Sequence, residues 1–198
     1  MTMDQDRFLR QLQFITEIDQ LKLVLRQTLL IDQSRRENSA EHSWHLAIMA
    51  ILLTEYAPEP IDVSTVIKMV LLHDIVEIDA GDVFCYDVQG NVGKADREQQ
   101  AADRIFGLLP PEQAQHFRQV WDEFEAQQSS EARFAAALDR IQPFLHNLKT
   151  DGGTWRMHRI QKSQVLQRMA PVKEGTPELW PWVEEAIAQA IANGLLIE

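Results

Sequence analysis

The sequence contains very little cysteine and no long apolar segment. Its single cysteine, Cys85, excludes an internal disulfide and fits a protein of the reducing cytoplasm. The N-terminal segment MTMDQDRFLRQ has no apolar core of a secretory signal, and no apolar run approaches the ~20 residues of a membrane helix. We therefore expect a cytoplasmic protein without a membrane span.

Positive charge is also scarce. The chain has 19 lysines and arginines against 30 acidic residues, which gives a formal net charge of −11. A field of this sign repels polyanions, so a nucleic-acid polymer is not expected as a partner. A small phosphate ester remains compatible with this charge, because a few cations or a metal ion can converge locally.

Strand-like alternation, internal repeats and long linkers are missing as well. The 198 residues suffice for one domain with a sizeable core, and we predict a single all-α domain over 1–198. An early helix that is apolar nearly all round, with Ser39 as its predicted N-cap, should lie in the middle of a bundle. Asp62 is the predicted N-cap of the next helix. Apolar spacings of three and four predict helices over about 6–30, 39–56, 63–74, 94–107, 111–127, 129–148, 158–169 and 177–193.

A His-Asp pair stands inside an otherwise apolar stretch. His73 and Asp74 follow the apolar segment that begins at Val63 and precede Ile75 and Val76. Aspartate is almost never fully buried unless it is paired or bound to a metal ion. The pair therefore predicts a compensating cation nearby.

Two other apolar helices each carry one polar group where the core is expected. These groups are His42 in the second helix and Asp139 in the helix that Ser129 opens. Alone, such a histidine is usually a hydrogen-bonded core residue, and such an acid is usually solvated or a cap. Together with the His73–Asp74 pair, they favour one shared site for a divalent cation, which needs imidazoles and carboxylates converging from different elements.

Four short segments carry a resemblance to a known family. They are E-H-S at 41–43, H-D-I-V-E at 73–77, G-D at 81–82 and D-R-I-Q-P at 139–143. In this order they resemble the HD-domain metal-dependent phosphohydrolases, and more narrowly the small 5′-deoxynucleotidases, over roughly residues 21–148. The resemblance implies an HD-domain helical bundle, a homodimer, and an enzyme that hydrolyses nucleoside 5′-monophosphates, with deoxyribonucleotides preferred.

The resemblance also implies roles for particular residues. One divalent ion (Mn, Co, Mg, Fe, Ni or Zn) is held by four of them, while Glu77 and Asp82 serve catalysis and Arg26 binds phosphate. Gln27 stands where the bacterial deoxynucleotidases carry a tryptophan that helps exclude a ribose 2′-hydroxyl. The four implied metal ligands are His42, His73, Asp74 and Asp139.

Several alternatives stay open at this point. Glu77 can instead fix a ligand histidine, and Asp82 can be a loop cap after Gly81. Two-metal relatives need further histidines between Asp74 and Asp139, where this chain has only His116, so a single ion is favoured. Hydrolysis of another small phosphate ester or nucleotide, or a non-catalytic regulatory module, are the competing functions.

Overall fold

Helices make up most of the computed structural model, which describes residues 4–198. The all-α prediction is confirmed, apart from one small sheet near the N-terminus. Within residues 4–198, no helix combines the length and apolar character that crossing a membrane requires. The α-helices are α1 (Gln5–Ile18), α2 (Ser39–Leu52), α3 (Val63–Leu72), α4 (Glu77–Ala80), α5 (Lys94–Phe106), α6 (Pro111–Ala126), α7 (Ser130–Lys149), α8 (Gly153–Met157), α9 (Lys162–Arg168), α10 (Ala170–Gly175) and α11 (Trp180–Ala192).

The predicted first helix, 6–30, is wrong in its second half. After α1 and a 3₁₀ turn (Asp19–Leu23), the chain forms strand β1 (Leu25–Leu29), which pairs antiparallel with β2 (Arg36–Asn38). Leucines four residues apart suggested a helix, but the burial of this segment alternates with the period of a strand. The alternation turns Arg26 inward, where it is 8% exposed.

Helix α2 begins at Ser39, but its N-cap is Asn38 rather than Ser39. The Asn38 side chain accepts from the backbone N–H of Glu41, and the Glu41 side chain accepts from the backbone N–H of Asn38. This reciprocal capping box satisfies two backbone donors at the helix start. The Ser39 hydroxyl is thereby left free for another contact.

The expectation that α2 is surrounded by the bundle on all sides is wrong. Trp44, Ile51 and Leu52 are 63%, 56% and 66% exposed, while Leu46 and Ala50 on the opposite side are fully buried. An apolar face on a helix at the edge of one chain is typical of a contact surface with another protein. Helix α2 therefore has two apolar faces, one buried in the core and one exposed to solvent.

Helix α3 leads directly into the His-Asp pair. Asp62 caps its start, as predicted, and the chain tightens after Leu72 into a 3₁₀ turn (His73–Val76) before α4. The indole N–H of Trp121 donates to the backbone carbonyl of His73 at 3.1 Å, which satisfies an acceptor that the helix end leaves open. Gly81 ends α4 with a φ of 75°.

Helix α7 runs through the core and is covered by the C-terminal segment. A Cβ atom at Gly175 would meet the backbone oxygen of Arg133 at 2.1 Å, so α10 lies directly against α7. The predicted helix 158–169 is shortened to α9, because Arg159 adopts a positive φ of 54°. Burial of a large apolar side chain stabilises the fold by roughly 1.5–3 kcal/mol. The large side chains buried in this core include Leu46, Met69, Phe106, Trp121, Phe134, Leu138 and Trp155.

Candidate active site

The fold brings the predicted ligand residues together in the core. His42 comes from α2, His73 and Asp74 from the 3₁₀ turn after α3, and Asp139 from α7. Nε2 of His42 lies 2.9 Å from Oδ1 of Asp139, and Nε2 of His73 lies 3.0 Å from Oδ1 of Asp74. His73 Nε2 also lies 3.8 Å from Asp139 Oδ1. Four side chains from three elements thus converge on one buried point.

The hydrogen bonds of the two imidazoles point their free nitrogens at this centre. Nδ1 of His73 lies 2.9 Å from the carbonyl oxygen of Val70, and Nδ1 of His42 lies 3.0 Å from the side-chain oxygen of Gln142. Both oxygens only accept, so both Nδ1 atoms donate. In the neutral imidazoles, each Nε2 then directs a lone pair at carboxylate oxygens.

Two lone pairs facing two carboxylates repel one another unless a cation lies between them. Nε2 of His73 is buried and has no hydrogen-bond partner in the described part of the chain, residues 4–198, although Asp74 is close. This orphaned nitrogen, together with the mixed nitrogen and oxygen donors, fits a divalent transition-metal ion. His42, His73 and Asp139 form a group with suitably close ligand atoms, and Asp74 adjoins it.

The titration of these groups reflects the same shortage of positive charge. Burial lowers the pKa of His42 to about 4, and the nearby charge of Arg26 adds to this effect, so His42 is neutral. Burial alone would lower the pKa of His73, but the charges of Asp74 and Asp139 outweigh it and raise this pKa to about 10. In the metal-free protein, a proton on His73 supplies the charge that a metal ion supplies in the loaded site.

The second oxygen of each aspartate faces a guanidinium group. Nη1 of Arg26 donates to Oδ2 of Asp74 at 2.7 Å. Oδ2 of Asp139 accepts from Nη1 of Arg140 and lies 3.9 Å from Nη2 of Arg168. Each carboxylate therefore directs one oxygen towards the imidazoles and the other towards an arginine.

Glu77 and Asp82 lie beside this cluster. The hydroxyl of Ser39 donates to Oε2 of Glu77 at 2.7 Å in the buried interior. Burial, with the charge of Asp74, raises the pKa of Glu77 to about 8. Oδ1 of Asp82 lies 3.8 Å from Nη1 of Arg26, and burial likewise raises the pKa of Asp82. Both carboxyls beside the ligand residues therefore hold a proton more readily than a carboxyl in water does.

Gln142, for which the sequence predicted no role, connects the cluster to a second group of polar residues. Its amide nitrogen lies 2.6 Å from Oε1 of Glu37, 3.1 Å from Nε2 of His146 and 3.3 Å from Nδ1 of His45. Glu37, His45 and His146 also have ligand atoms close enough for a metal ion, but the amide nitrogen of Gln142 already lies between them as a donor. This group therefore orients Gln142, which in turn orients His42.

A cavity of about 580 Å³, its open mouth included, adjoins the cluster. Arg26, Gln27 and Asp82, for which the sequence predicted substrate or catalytic roles, are among the residues that line this cavity. The rest of the lining consists of residues with no predicted role there, among them Phe84, Cys85, Tyr86, Arg140, Phe144, Trp155, Val165, Arg168 and Met169.

The C-terminal residues of this cavity carry no signal in the sequence. Trp155 is 2% exposed and its ring centroid lies 5.4 Å from that of Phe144, so Trp155 packs in the wall of the cavity. Arg168 ends α9, outside all of the motifs. His116, the one histidine between Asp74 and Asp139, is exposed on α6 beside Phe117.

Comparison with known proteins identifies the family. The family model described as HD domain matches residues 18–180. The chain belongs to the HD domain family. The matched region extends beyond residue 148, where the motif-based resemblance stopped, and includes the helices that complete the cavity of this HD-domain protein.

Individual relatives agree with this assignment. The human 5′-deoxynucleotidase HDDC2 is 30% identical over 183 residues, which cover 92% of this chain and 87% of the human protein. A structure from Magnetospirillum magnetotacticum, described as a predicted metal-dependent phosphohydrolase, is 48% identical, with a TM-score of 0.93 and coverage of 97% and 96% of the two chains. The HD-domain protein is a metal-dependent phosphohydrolase.

A more distant structure shares the fold alone. An HD-domain phosphohydrolase from Listeria innocua is 16% identical, with a TM-score of 0.57 and coverage of 89% of this chain and 83% of that one. At this identity only the architecture is comparable. The helical arrangement of this HD-domain protein is therefore shared across widely diverged sequences.

Proposed function

We propose that this HD-domain protein hydrolyses nucleoside 5′-monophosphates to nucleoside and phosphate, with deoxyribonucleotides preferred. The observation that carries the proposal is the buried cluster of imidazoles and carboxylates directly behind a cavity lined by arginines and aromatic rings. The naming of a 30% identical relative as a 5′-deoxynucleotidase supports the same substrate class.

In this proposal one divalent ion is held by the nitrogen and oxygen donors of the cluster. Bound there, such an ion lowers the pKa of water towards ~7 and polarises a phosphoryl oxygen. The donors suit Mn, Co, Fe, Ni, Zn or Mg, and the availability of the metal decides among them. The proposed ligands are His42, His73, Asp74 and Asp139.

Glu77 is the proposed acid–base group. Its carboxyl is buried next to Asp74 and has a pKa raised to about 8, so it exchanges a proton readily near neutral pH. It orients the attacking water and accepts its proton. Asp82, on the cavity side of the cluster, holds a sugar hydroxyl or that water.

Arg26 is proposed to bind the phosphate group. Its guanidinium lines the cavity, and its Nε is buried without a hydrogen-bond partner among the described residues 4–198. A guanidinium suits a phosphate because its donors match the spacing of two oxygens. Gln27, which follows in β1 and also lines the cavity, is placed to contact the sugar.

We further propose that residues 1–198 form one domain and that two copies form a homodimer. The C-terminal helices line the same cavity as β1, which supports one domain. The exposed apolar residues of α2, among them Trp44, Ile51 and Leu52, are the surface expected to join the copies. Sedimentation equilibrium should give twice the chain mass, and Trp44→Glu should give the mass of one chain.

Phosphate release from a panel of nucleotides in the presence of Mn, Co or Mg tests the function. We expect release from nucleoside 5′-monophosphates and faster turnover of the deoxy forms. Release only from other phosphate esters would change the substrate class, and no release from any of them would favour a regulatory module.

Glu77→Gln tests the acid–base assignment in the same assay. Its metal content should persist, while its turnover should fall about 10²- to 10⁴-fold. Asp79→Asn, on the exposed side of the same short helix, is the matched control and should keep full turnover. Retained turnover in Glu77→Gln would remove Glu77 from the mechanism.

A further inference from the structure

Arg140 and Arg168 share a single carboxylate partner. Arg140 donates to Oδ2 of Asp139, and Nη2 of Arg168 lies 3.9 Å from the same oxygen. Within residues 4–198, neither guanidinium forms an ion pair with any other carboxylate. Two positive groups thus depend on one negative oxygen.

That negative charge is also needed on the other side of Asp139. Oδ1 of Asp139 faces Nε2 of His42 and His73, where the proposed function places a metal ion. Asp74 is shared in the same way, because its Oδ2 pairs with Arg26 while its Oδ1 faces Nε2 of His73. Once a divalent cation neutralises these two carboxylates, Arg140 and Arg168 have no other carboxylate partner within residues 4–198. Arg26 still has Glu37 at 3.7 Å and Asp82 at 3.8 Å.

All three arginines line the same cavity. The side chains of Arg26 and Arg140 are largely buried and that of Arg168 is partly exposed. A largely buried positive charge is stabilised by an anionic partner, and the cavity gives an anion access to all three guanidinium groups. Arg26 stands on the Asp74 side of the cluster, whereas Arg140 and Arg168 stand on the Asp139 side. With the proposed cation, this arrangement gives three separate positive groups around one cavity: the cation, Arg26, and the pair formed by Arg140 and Arg168.

We propose that Arg140 and Arg168 bind the phosphate group of the substrate, and that together with Arg26 they select a terminal phosphate monoester over a diester. A monoester dianion offers three non-bridging oxygens, one for each positive position, whereas a diester monoanion offers two. The proposal rests on the proposed function, because it assigns partners to the phosphate at that same site. It gives the C-terminal segment a direct part in substrate binding through Arg168.

Binding of inorganic phosphate to the Mn-loaded, full-length protein tests this assignment without requiring turnover. Arg168→Gln is the informative variant, since Arg168 is partly exposed and its loss leaves the core intact. We expect its dissociation constant for phosphate to rise at least about tenfold with unchanged metal content, and Arg168→Lys to recover part of the loss. Arg133→Gln, which removes an arginine paired with Glu59 on the surface, is the charge-matched control and should bind phosphate normally.

Ester selectivity provides a second measurement. The wild-type protein should hydrolyse p-nitrophenyl phosphate much faster than bis(p-nitrophenyl) phosphate, and Arg168→Gln should raise the KM of the monoester and reduce this preference. Unchanged phosphate binding and unchanged selectivity in Arg168→Gln would overturn the proposal while leaving the proposed hydrolase intact. A wild-type protein that binds phosphate through Arg168 but cleaves no monophosphate would overturn the proposed function alone.

Cys85 offers an independent readout of where the anion binds. It is the only cysteine in the chain, it is exposed, and it lines the cavity beside Arg140 and Arg168. Phosphate should slow alkylation of Cys85 by iodoacetamide in the Mn-loaded wild type but not in Arg168→Gln. Equal protection of both proteins would place the anion away from Arg168 and contradict the proposal.

Discussion

The side-chain oxygen of Gln142 lies 3.0 Å from Nδ1 of His42 and fixes which nitrogen of that imidazole carries the hydrogen. The amide nitrogen of Gln142 is held in turn by Glu37 at 2.6 Å, so the amide has one favourable orientation. Partners of this kind orient a ligand histidine and raise its affinity for metal. The proposed metal centre therefore extends beyond its four ligands.

Gln142→Met should weaken metal binding by about 10- to 100-fold. Methionine fills a similar volume but cannot accept from Nδ1 of His42, so the imidazole loses its preferred tautomer. Titration of the metal-free variant with Mn measures the effect. Gln113→Met, which breaks a contact with Gln11 far from the cluster, is the control, and equal affinities in all three proteins would contradict the role of Gln142.

Removal of the metal should destabilise the wild-type protein, and Asp139→Asn should abolish this response. A ligand present at about 1,000 times its dissociation constant stabilises the folded state by about 4 kcal/mol. Thermal unfolding with Mn and with excess chelator measures the difference. We expect a clear drop in Tm on chelation for the wild type and for the surface control Asp103→Asn, and superimposable curves for Asp139→Asn; a preserved drop would exclude Asp139 as a ligand.

Ser39→Ala and Asn38→Ala should separate catalysis from helix capping. Burial raises the pKa of Glu77, and the hydroxyl of Ser39 lowers it again by donating to the ionised carboxylate. Ser39→Ala should therefore raise this pKa further and move the acidic limb of the pH–rate profile to higher pH, because Glu77 acts in its ionised form.

Asn38→Ala, in contrast, removes the N-cap of α2 and should lower the free energy of unfolding by about 1 kcal/mol. Its pH–rate profile should stay in place. Urea unfolding and pH–rate profiles on both variants make the comparison. A Ser39→Ala profile identical to that of the wild type would show that this hydroxyl does not tune Glu77.

Gln27→Trp should sharpen the discrimination against ribonucleotides. Gln27 lines the cavity beside Arg26, and its amide can accept or donate a hydrogen bond to a ribose hydroxyl, whereas an indole ring removes that space. We expect the ratio of kcat/KM for dAMP over AMP to rise by about tenfold. Thr28→Val, at the next cavity position, serves as a control, and an unchanged ratio in Gln27→Trp would place the sugar elsewhere.

Most of the helices, and the polar residues that meet in the core, were predictable because each has a local sequence pattern. Polar groups such as His42 and Asp139 stand out against an apolar helix pattern, and the ordered motifs around them carried the family resemblance. β1 was missed because leucines four residues apart are compatible with a helix, and its pairing with β2 is a contact between distant segments. The exposed face of α2 was missed because an apolar pattern does not distinguish a core from a contact surface.

The sequence by itself determined most of the helices and which polar side chains are out of place in them, since both follow from local spacing and from the cost of burying charge. Only the tertiary structure decided what those side chains meet. The inward turn of Arg26 depends on strand pairing, the orientation of Gln142 depends on Glu37 and His146, and the approach of Arg168 to Asp139 depends on the docking of α10 against α7. Contacts between segments far apart along the chain set the proposed partners of the phosphate, and they leave no periodic signal in the sequence.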